Sequence, residues 1–442
     1  MKQLRPIFLA AICALALCAG TTIAQNRTTA ELVGTVTDPS GGVIPEVTVS
    51  VTNTQTGVIL KGTTNQSGYY DIPFLPPGKY SVQYERAGFQ TAEKTNLELQ
   101  LNQNARIDVA LQVGATQSSV TVEATPLLNQ SDSQRGTNIS NTMVENLPLV
   151  GRDPSSLATL AAGTSSAQSG VSASPDPGRR SINGNRAFSI STTVNGGSVI
   201  LPQSENFSAF VPPLSAIAEF AVVQDNFGAE YENGTSVLNI ITKNGSNQFH
   251  GSLFEFLKNN AFNARNRFAL TNPPLHYHQF GGTIGGPILR DKLFFFFSYQ
   301  NTLNPNSTIS VHTTPTDAVK SGNFAGLPVI KDPMTGLPFA DNQIPQNRID
   351  PVAKAIQSYF PEPNLAGLGN NFNNATPQVP KNPFYNGKLD YALSPSNQLS
   401  ASLQVFFSTT QWQSSWGKQP ACYGSERCGN QIVNSQQWAV SD

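Results

Sequence analysis

The chain has 442 residues and a formal net charge of −1, and only 12% of its residues are charged, against about 25% in an ordinary soluble domain. That balance excludes the basic footprint of a nucleic-acid binder. Hydrophobic residues stand at 38%, so the missing charge is replaced by Ser, Thr, Asn, Gln and Gly, the composition of β-structure joined by polar turns.

Residues 1–24 read as a secretory signal peptide. Lys2 and Arg5 precede an unbroken apolar run from Ile7 to Ala19, too short to span a bilayer. Thr22-Ile23-Ala24 places small residues at −3 and −1, so cleavage is expected after Ala24. Leu17 stands where a lipoprotein signal needs a small residue before Cys18, which removes that reading. Of the four cysteines, Cys13 and Cys18 leave with the signal. Cys422 and Cys428 remain in an exported chain, where a small loop-closing disulfide is the default. No histidine lies near them to complete a metal site. No later segment is long and apolar enough for a transmembrane helix. Any membrane-embedded part must therefore be a barrel, since every backbone group in lipid has to be paired.

From about Glu31 to Val113 the chain reads as a self-contained β unit. Val47, Val49 and Val51 alternate with Thr48, Ser50 and Thr52, and Tyr80, Val82 and Tyr84 repeat the pattern, as half-buried strands do. Turn signals recur at Asp38-Pro39-Ser40-Gly41-Gly42, Gln66-Ser67-Gly68, Pro76-Pro77-Gly78 and Ala87-Gly88. Short strands at that spacing predict a sandwich of about seven strands, near the size of an immunoglobulin-like domain. The stretches G-T-V-T-D-P-S-G-G-V-I-P (Gly34 to Pro45), V-T-V-S-V-T-N (Val47 to Asn53), G-Y-Y-D-I-P-F-L-P-P-G-K-Y (Gly68 to Tyr80) and A-G-F (Ala87 to Phe89) resemble the carboxypeptidase regulatory-like domain. The resemblance implies a transthyretin-like sandwich over residues 28–114, of the kind grouped with carbohydrate-binding-like folds. It implies no peptidase chemistry; the unit is a spacer or a sugar-binding module.

Residues 115–247 are rich in Ser, Gly, Asn and Pro. Short strands are expected at Ser189 to Val194, Glu219 to Val223 and Val237 to Thr242, with a short helix from Met143 to Leu147 closed by Pro148. Such a segment is poorly equipped to bury a core alone and is expected to pack inside something larger. Its end, Y-E-N-G-T-S-V-L-N-I-I-T-K-N-G-S-N-Q-F-H-G-S (Tyr231 to Ser252), resembles the plug of TonB-dependent transporters. N-L-P-L-V-G-R-D (Asn146 to Asp153), S-I-N-G-N-R (Ser181 to Arg186) and V-N-G-G (Val194 to Gly197) support it. With the sandwich upstream, the whole looks like the Oar-like branch of that family. Asn195 departs from the Asp usual in these plugs, which puts any charge-dependent role there in doubt. The resemblance implies TonB as a periplasmic partner and import of a solute too large for porins, a carbohydrate or a siderophore. Ser118 to Ala124 links sandwich to plug and resembles a TonB box. In such a box Val120, Thr121, Val122, Glu123 and Ala124 would be gripped by strand addition, which requires only an extended, unpaired backbone. An ordinary linker or plug strand is the competing reading.

After Asn247 a third pattern begins. In Gln398 to Thr409, Leu399, Ala401, Leu403, Val405 and Phe407 share one face, and Gln398, Ser400, Ser402, Gln404 and Ser408 the other. Apolar-out, polar-in alternation over about ten residues marks an outer-membrane strand. Gly387 to Leu393 pairs with it across Ser394 to Asn397, with Leu389, Tyr391 and Leu393 out and Lys388 and Asp390 in. Phe280 to Leu289 turns at Arg290-Asp291-Lys292 into L-F-F-F-F-S-Y-Q (Leu293 to Gln300). Its four consecutive Phe break the alternation, placing one face against the plug or the run in an aromatic girdle. Phe249 to Lys258 and Gln431 to Val440 complete six candidates. Connections run long (Asn259 to Leu275), short, very long (Asn301 to Phe384), short and long (Gln411 to Asn430). Short periplasmic turns and long outer loops alternate in this way in such barrels, whereas a soluble sandwich rarely carries so long a loop. The smallest barrels have about 8 strands and plugged ones about 22, so residues 248–442 are expected to form part of a barrel and the chain to be an N-terminal fragment.

The fold class expected is mainly β: a transthyretin- or immunoglobulin-like sandwich, a small α/β plug and an incomplete transmembrane antiparallel barrel. Nucleophile-elbow, zincin, Walker, dinucleotide and EF-hand motifs are absent from the sequence, so neither an enzyme nor a cofactor is expected. His276 and His278 share a strand face without a third ligand in view, and Asp332-Pro333-Met334-Thr335-Gly336 reads as a turn. The expected function is an outer-membrane TonB-dependent receptor in contact with membrane lipid. The alternative is a structural or adhesive envelope protein whose sandwich binds polysaccharide, and the loop aromatics Trp412 and Trp416 fit either.

Overall fold

A computed structural model of the chain describes residues 28–114, 119–123, 135–149, 152–165, 180–186, 189–201, 207–225, 235–265, 267, 275–303, 306–378, 381–395, 397–412 and 429–441. The signal at 1–24, Ala124, Trp416, Cys422 and Cys428 lie outside the described residues.

The first unit is built from β1 (Ala30–Thr37), β2 (Thr48–Asn53), β3 (Ile59–Thr63), β4 (Tyr69–Leu75), β5 (Gly78–Glu85), β6 (Thr91–Leu99), β7 (Asn104–Arg106) and β8 (Val109–Ala110). One sheet has the order β4-β1-β7, with β8 also on β1. The other has the order β3-β2-β5-β6-β9, where β9 is Ser119–Glu123. The predicted alternation is met: Val49, Val51, Tyr80, Val82 and Tyr84 are buried between the sheets. The Tyr70 and Tyr84 hydroxyls lie 2.9 Å apart, and Tyr70 also donates to the Ile107 carbonyl at 2.8 Å, so neither buried phenol is left unsatisfied. Eight strands stand where about seven were expected, because the final stretch divides into β7 and β8, both parallel to β1.

The middle unit carries a five-stranded sheet. In chain order its strands are β10 (Arg135–Ile139), β13 (Ile190–Val194), β14 (Gly197–Ser198), β17 (Ile217–Asp225) and β18 (Ser236–Thr242). Two minor ladders, β11 (Thr164–Ser165) with β12 (Ser181–Ile182) and β15 (Ile200–Leu201) with β16 (Phe207–Ser208), flank it. The sheet order is β10-β17-β18-β13-β14, with β13 and β18 parallel. Helix α1 (Asn141–Asn146) falls where the sequence placed it. Side chains pointing one way, Ile139, Phe220, Val222, Leu238 and Ile240, close a core with Val144, Leu157 and Leu214. Phe384, from the membrane sheet, belongs to the same core. All seven residues of β18 are buried, so both faces of the sheet are covered. The unit does form a core, but not from its own residues alone.

The third unit is a six-stranded antiparallel meander: β19 (His250–Asn259), β20 (His276–Leu289), β21 (Leu293–Leu303), β24 (Phe384–Ser394), β25 (Asn397–Trp412) and β26 (Gly429–Ser441). Each of the six predicted strands is present. The long connection from β21 to β24 contains its own ladder, β22 (Asn306–His312) with β23 (Phe372–Gln378), and short helices. Among the described residues β19 and β26 do not pair, so the barrel is open. Among the described residues no helix is long and apolar enough to cross a membrane. On β24, Tyr385, Leu389, Tyr391 and Leu393 are exposed, and Phe384, Asn386 and Lys388 are buried. The same outer face carries Leu253, Ile284, Phe297 and Trp438, all exposed, as strands bordering lipid require.

The Phe run corrects the sequence reading. Alternation is kept: Phe294 and Phe296 are each 2% exposed, whereas Phe297 is 42% exposed. The inward face is apolar here because it is covered by the upstream units rather than by water.

Candidate functional site

The three units meet on the inward side of the membrane sheet. The β6–β7 turn of the sandwich reaches the plug-like sheet. The Leu101 amide donates to Glu219 Oε2 at 2.6 Å, and Asn138 Nδ2 donates to the Leu101 carbonyl at 2.7 Å. Asn239 Nδ2 donates to Asn102 Oδ1 at 3.4 Å. The Leu101 side chain packs with Ala221 and Ile241. Burial pushes the Glu219 carboxyl up to about 7; the Leu101 amide opposes that shift and the charge of Glu98 adds to it.

A second contact joins the β13–β14 turn to the last strand of the membrane sheet. Gln437 Nε2 donates to the carbonyls of Val194 and Gly197, each at 2.9 Å. A Cβ on Gly197 would stand 2.2 Å from that nitrogen, so only glycine leaves room for the contact. Within the turn, Asn195 takes φ 49, a left-handed conformation that Asn tolerates. Its Oδ1 accepts from the Thr242 amide at 2.9 Å and its Nδ2 donates to Thr242 Oγ1 at 2.9 Å. The Thr242 hydroxyl also lies 3.2 Å from Asn195 Oδ1, so the side chain spans both the amide and the hydroxyl of Thr242. Nearby, the Arg152 guanidinium stands 4.0 Å over the Phe256 ring on β19, and Phe210 packs on Phe384 at 5.5 Å.

The third contact joins sandwich and membrane sheet. The Asn247 amide donates to the Gln55 carbonyl at 3.1 Å, and its Nδ2 reaches the Thr56 carbonyl and Asp291 Oδ1, both at 2.6 Å. Gly57, at φ 73, leaves space for Asp291, whose Oδ1 a Cβ would meet at 2.6 Å. The sandwich therefore lies on the side of the short β20–β21 turn. Between the units is a cavity of about 390 Å³, lined by Thr56 and Tyr80, by Asn195, and by Phe294, Lys388 and Asp390. Ser400 Oγ donates to Asp390 Oδ1 at 2.8 Å.

Of the residues singled out in the sequence, Val120, Thr121, Val122 and Glu123 lie in β9. The segment is extended as expected but not unpaired. It runs parallel to β6, from Thr91 beside Ser119 to Thr95 beside Glu123, and its other edge is the border of the sheet. A parallel edge strand needs no turn signal, so nothing local in the sequence announced it. His278 Nδ1 lies 3.3 Å from Glu255 and His276 Nδ1 3.3 Å from Asn259. No cluster of three metal-ligating side chains occurs among the described residues. Asp332 forms the expected turn, accepting from the Met334 amide at 2.9 Å, and also pairs with Arg348 at 3.0 Å. Trp412 ends β25. Sequence reasoning missed Leu101, Glu219 and Gln437. The available signals were an apolar residue in a polar turn, a lone carboxylate in an apolar strand, and the position of Gln437 beside Trp438 in an alternating strand.

Residues 241–442 match the outer membrane beta barrel domain and residues 31–112 the carboxypeptidase regulatory-like domain. Over 322 residues the chain is 30% identical to the TonB-dependent transporter Oar of Myxococcus xanthus, covering 67% of this chain and 28% of that protein. The chain thus spans well under half the length of this relative. The ferric enterobactin receptor PfeA of Pseudomonas aeruginosa aligns at TM-score 0.39 and 13% identity over 69% of this chain and 38% of its own. The alcaligin outer membrane receptor FauA of Bordetella pertussis aligns at 0.36 and 10% over 64% and 41%. The chain is an outer membrane protein homologous to the TonB-dependent transporter Oar, with a carboxypeptidase regulatory-like domain ahead of its outer membrane β-barrel domain.

Proposed function

We propose that this chain is part of a TonB-dependent transporter that imports a large solute, a carbohydrate or a siderophore, across the outer membrane. In this reading residues 28–114 are the sandwich, 115–247 the plug and 248–442 the first part of the barrel. The observation that carries it is the seating of the middle sheet on the inward face of the membrane sheet, through Gln437, Phe384 and Arg152. A unit held there obstructs the lumen. The open edges of β19 and β26 carry unpaired ladder groups, which are prohibitive in lipid, so a working barrel needs strands beyond these six. The outer loops take the solute. Val120 to Ala124 make the TonB contact, with the free edge of β9 as the place where a TonB strand adds.

Deletion of Val120 to Ala124 is expected to abolish both solute uptake and binding of the purified TonB periplasmic domain, while solute still binds at the cell surface. Uptake that persists after the deletion sinks the reading.

A further inference from the structure

The β6–β7 turn of the sandwich is built into the plug. The plug sheet has two faces. One closes over the plug's own helices. The other presents Glu219, Ala221, Asn239 and Ile241, and the sandwich turn lies on it. Two of the three hydrogen bonds across this contact use the backbone of Leu101, so they depend on where the turn is held rather than on a flexible side chain. The turn is held firmly. Gln103 Oε1 accepts from the Gln100 amide at 2.8 Å, the Gln103 amide donates to the Gln100 carbonyl at 3.2 Å, and the Glu31 amide of β1 donates to the Gln103 carbonyl at 2.9 Å. β6 ends at Leu99 and runs straight into this turn, and the same β6 carries β9 along its outer edge.

We propose that the sandwich is the retaining clamp of the plug. The Gln100–Gln103 turn must leave the Glu219 face before the plug sheet can rearrange, and β6 is the route by which traction on β9 reaches it. The clamp stands independently of the TonB reading; the traction route rests on it. Separation would bare Leu101, Ala221 and Ile241 to water and strip Glu219 of its donor, so the closed state is favoured at rest. A pull along β9 loads the bonds of a parallel ladder together, which lets the ladder transmit force instead of peeling.

Two measurements on the protein in outer-membrane vesicles test this without TonB. The first is hydrogen exchange at β17 and β18 in Leu101→Glu, which sets a second carboxylate against Glu219, with Leu101→Met as control. Exchange in the plug sheet is expected to rise about tenfold or more in Leu101→Glu, with β2 and β5 of the sandwich and the control unchanged. Plug exchange that stays at the wild-type rate overturns the clamp. Should Leu101→Glu fail to assemble, the double variant Asn102→Cys/Asn239→Cys replaces it. Oxidation of that pair is expected to slow exchange at β18, and equal rates in both redox states overturn the clamp. The second measurement is single-molecule pulling through a handle at Thr121→Cys against an anchored barrel. The force that releases the plug is expected to fall when Leu101→Glu is added. An unchanged force overturns the traction route. Loss of TonB-domain binding, by contrast, bears on the reading of β9 and leaves both results standing.

Discussion

In the sandwich, Val49, Val51, Tyr80, Val82 and Tyr84 close on Tyr70 and Ile72 of the facing sheet, and every member of that core falls between Ala30 and Leu111. In the plug, the sheet of similar size takes Phe384 from the membrane sheet on one face and Leu101 from the sandwich on the other. The first unit supplies its own apolar interior; the second completes its interior with parts of its neighbours. In the proposed transporter this contrast would separate a scaffold from a part that can be displaced. A unit that shares part of its burial with neighbours can leave them at the cost of those contacts, while the rest of its core stays together.

The largest effect expected to sharpen this contrast is Tyr84→Ala. It empties a fully buried ring site and leaves the Tyr70 hydroxyl short of one partner. A cost of about 3–5 kcal/mol is expected for the sandwich, read as a lowered urea midpoint. If the plug sheet keeps wild-type hydrogen-exchange protection once the sandwich has melted, the dependence of plug on sandwich is refuted.

The next effect is one of pH. Burial raises the Glu219 carboxyl from an ordinary 4.5 to about 7 in the docked state. The docked form therefore holds a proton that the undocked form releases, so the stabilising contribution is full below about 4.5 and is lost as pH rises through about 7. The charge of Glu98 on β6 adds to the shift. Lys243, the residue directly after β18, is engaged by Glu145 at 2.6 Å. The sandwich–plug contact is expected to weaken by on the order of 3 kcal/mol between those limits. Exchange at β17 and β18 followed from pH 5 to pH 8 checks it. Glu219→Gln should flatten the profile, and a profile unchanged by that substitution contradicts the assignment.

The smallest effect lies at the opposite contact. Gln437→Ala removes both donations to the β13–β14 turn, a loss of about 1–2 kcal/mol. It is expected to raise exchange at β13 and β14 while leaving the ladder of β25 and β26 intact. Loss of that ladder instead would mean that Gln437 serves the membrane sheet and not the plug.

How much of this was legible in the sequence follows from the range of each interaction. β24 and β25 declare themselves because lipid demands apolar side chains on one face, and a period of two is visible within ten residues: Leu389 and Tyr391 out, Lys388 and Asp390 in. The sandwich does so for the same reason on its inner faces. The four-Phe run was read as a break in the alternation, which the structure keeps, but its inward Phe294 and Phe296 do meet protein, the first of the two placements the sequence left open. The site itself was largely illegible. Leu101 and Glu219 are separated by 118 positions, and neither local periodicity nor turn chemistry reports a meeting at that distance. The Val194 to Gly197 turn was visible as a motif, but its partner Gln437 was not. β9 was found as an extended segment, and its pairing with β6 was hidden because parallel partners share no turn.

Asn247 gives the molecule a constraint of a different kind. One side chain touches the Thr56 carbonyl in the sandwich and Asp291 in the β20–β21 turn, and it sits five residues after the end of β18 in the plug. The spacing from Thr242 to His250 is therefore a shared ruler for three units. An inserted or deleted residue between those positions would shift all three out of phase at once, so length variation should be far rarer in this short segment than in the long β21–β24 connection.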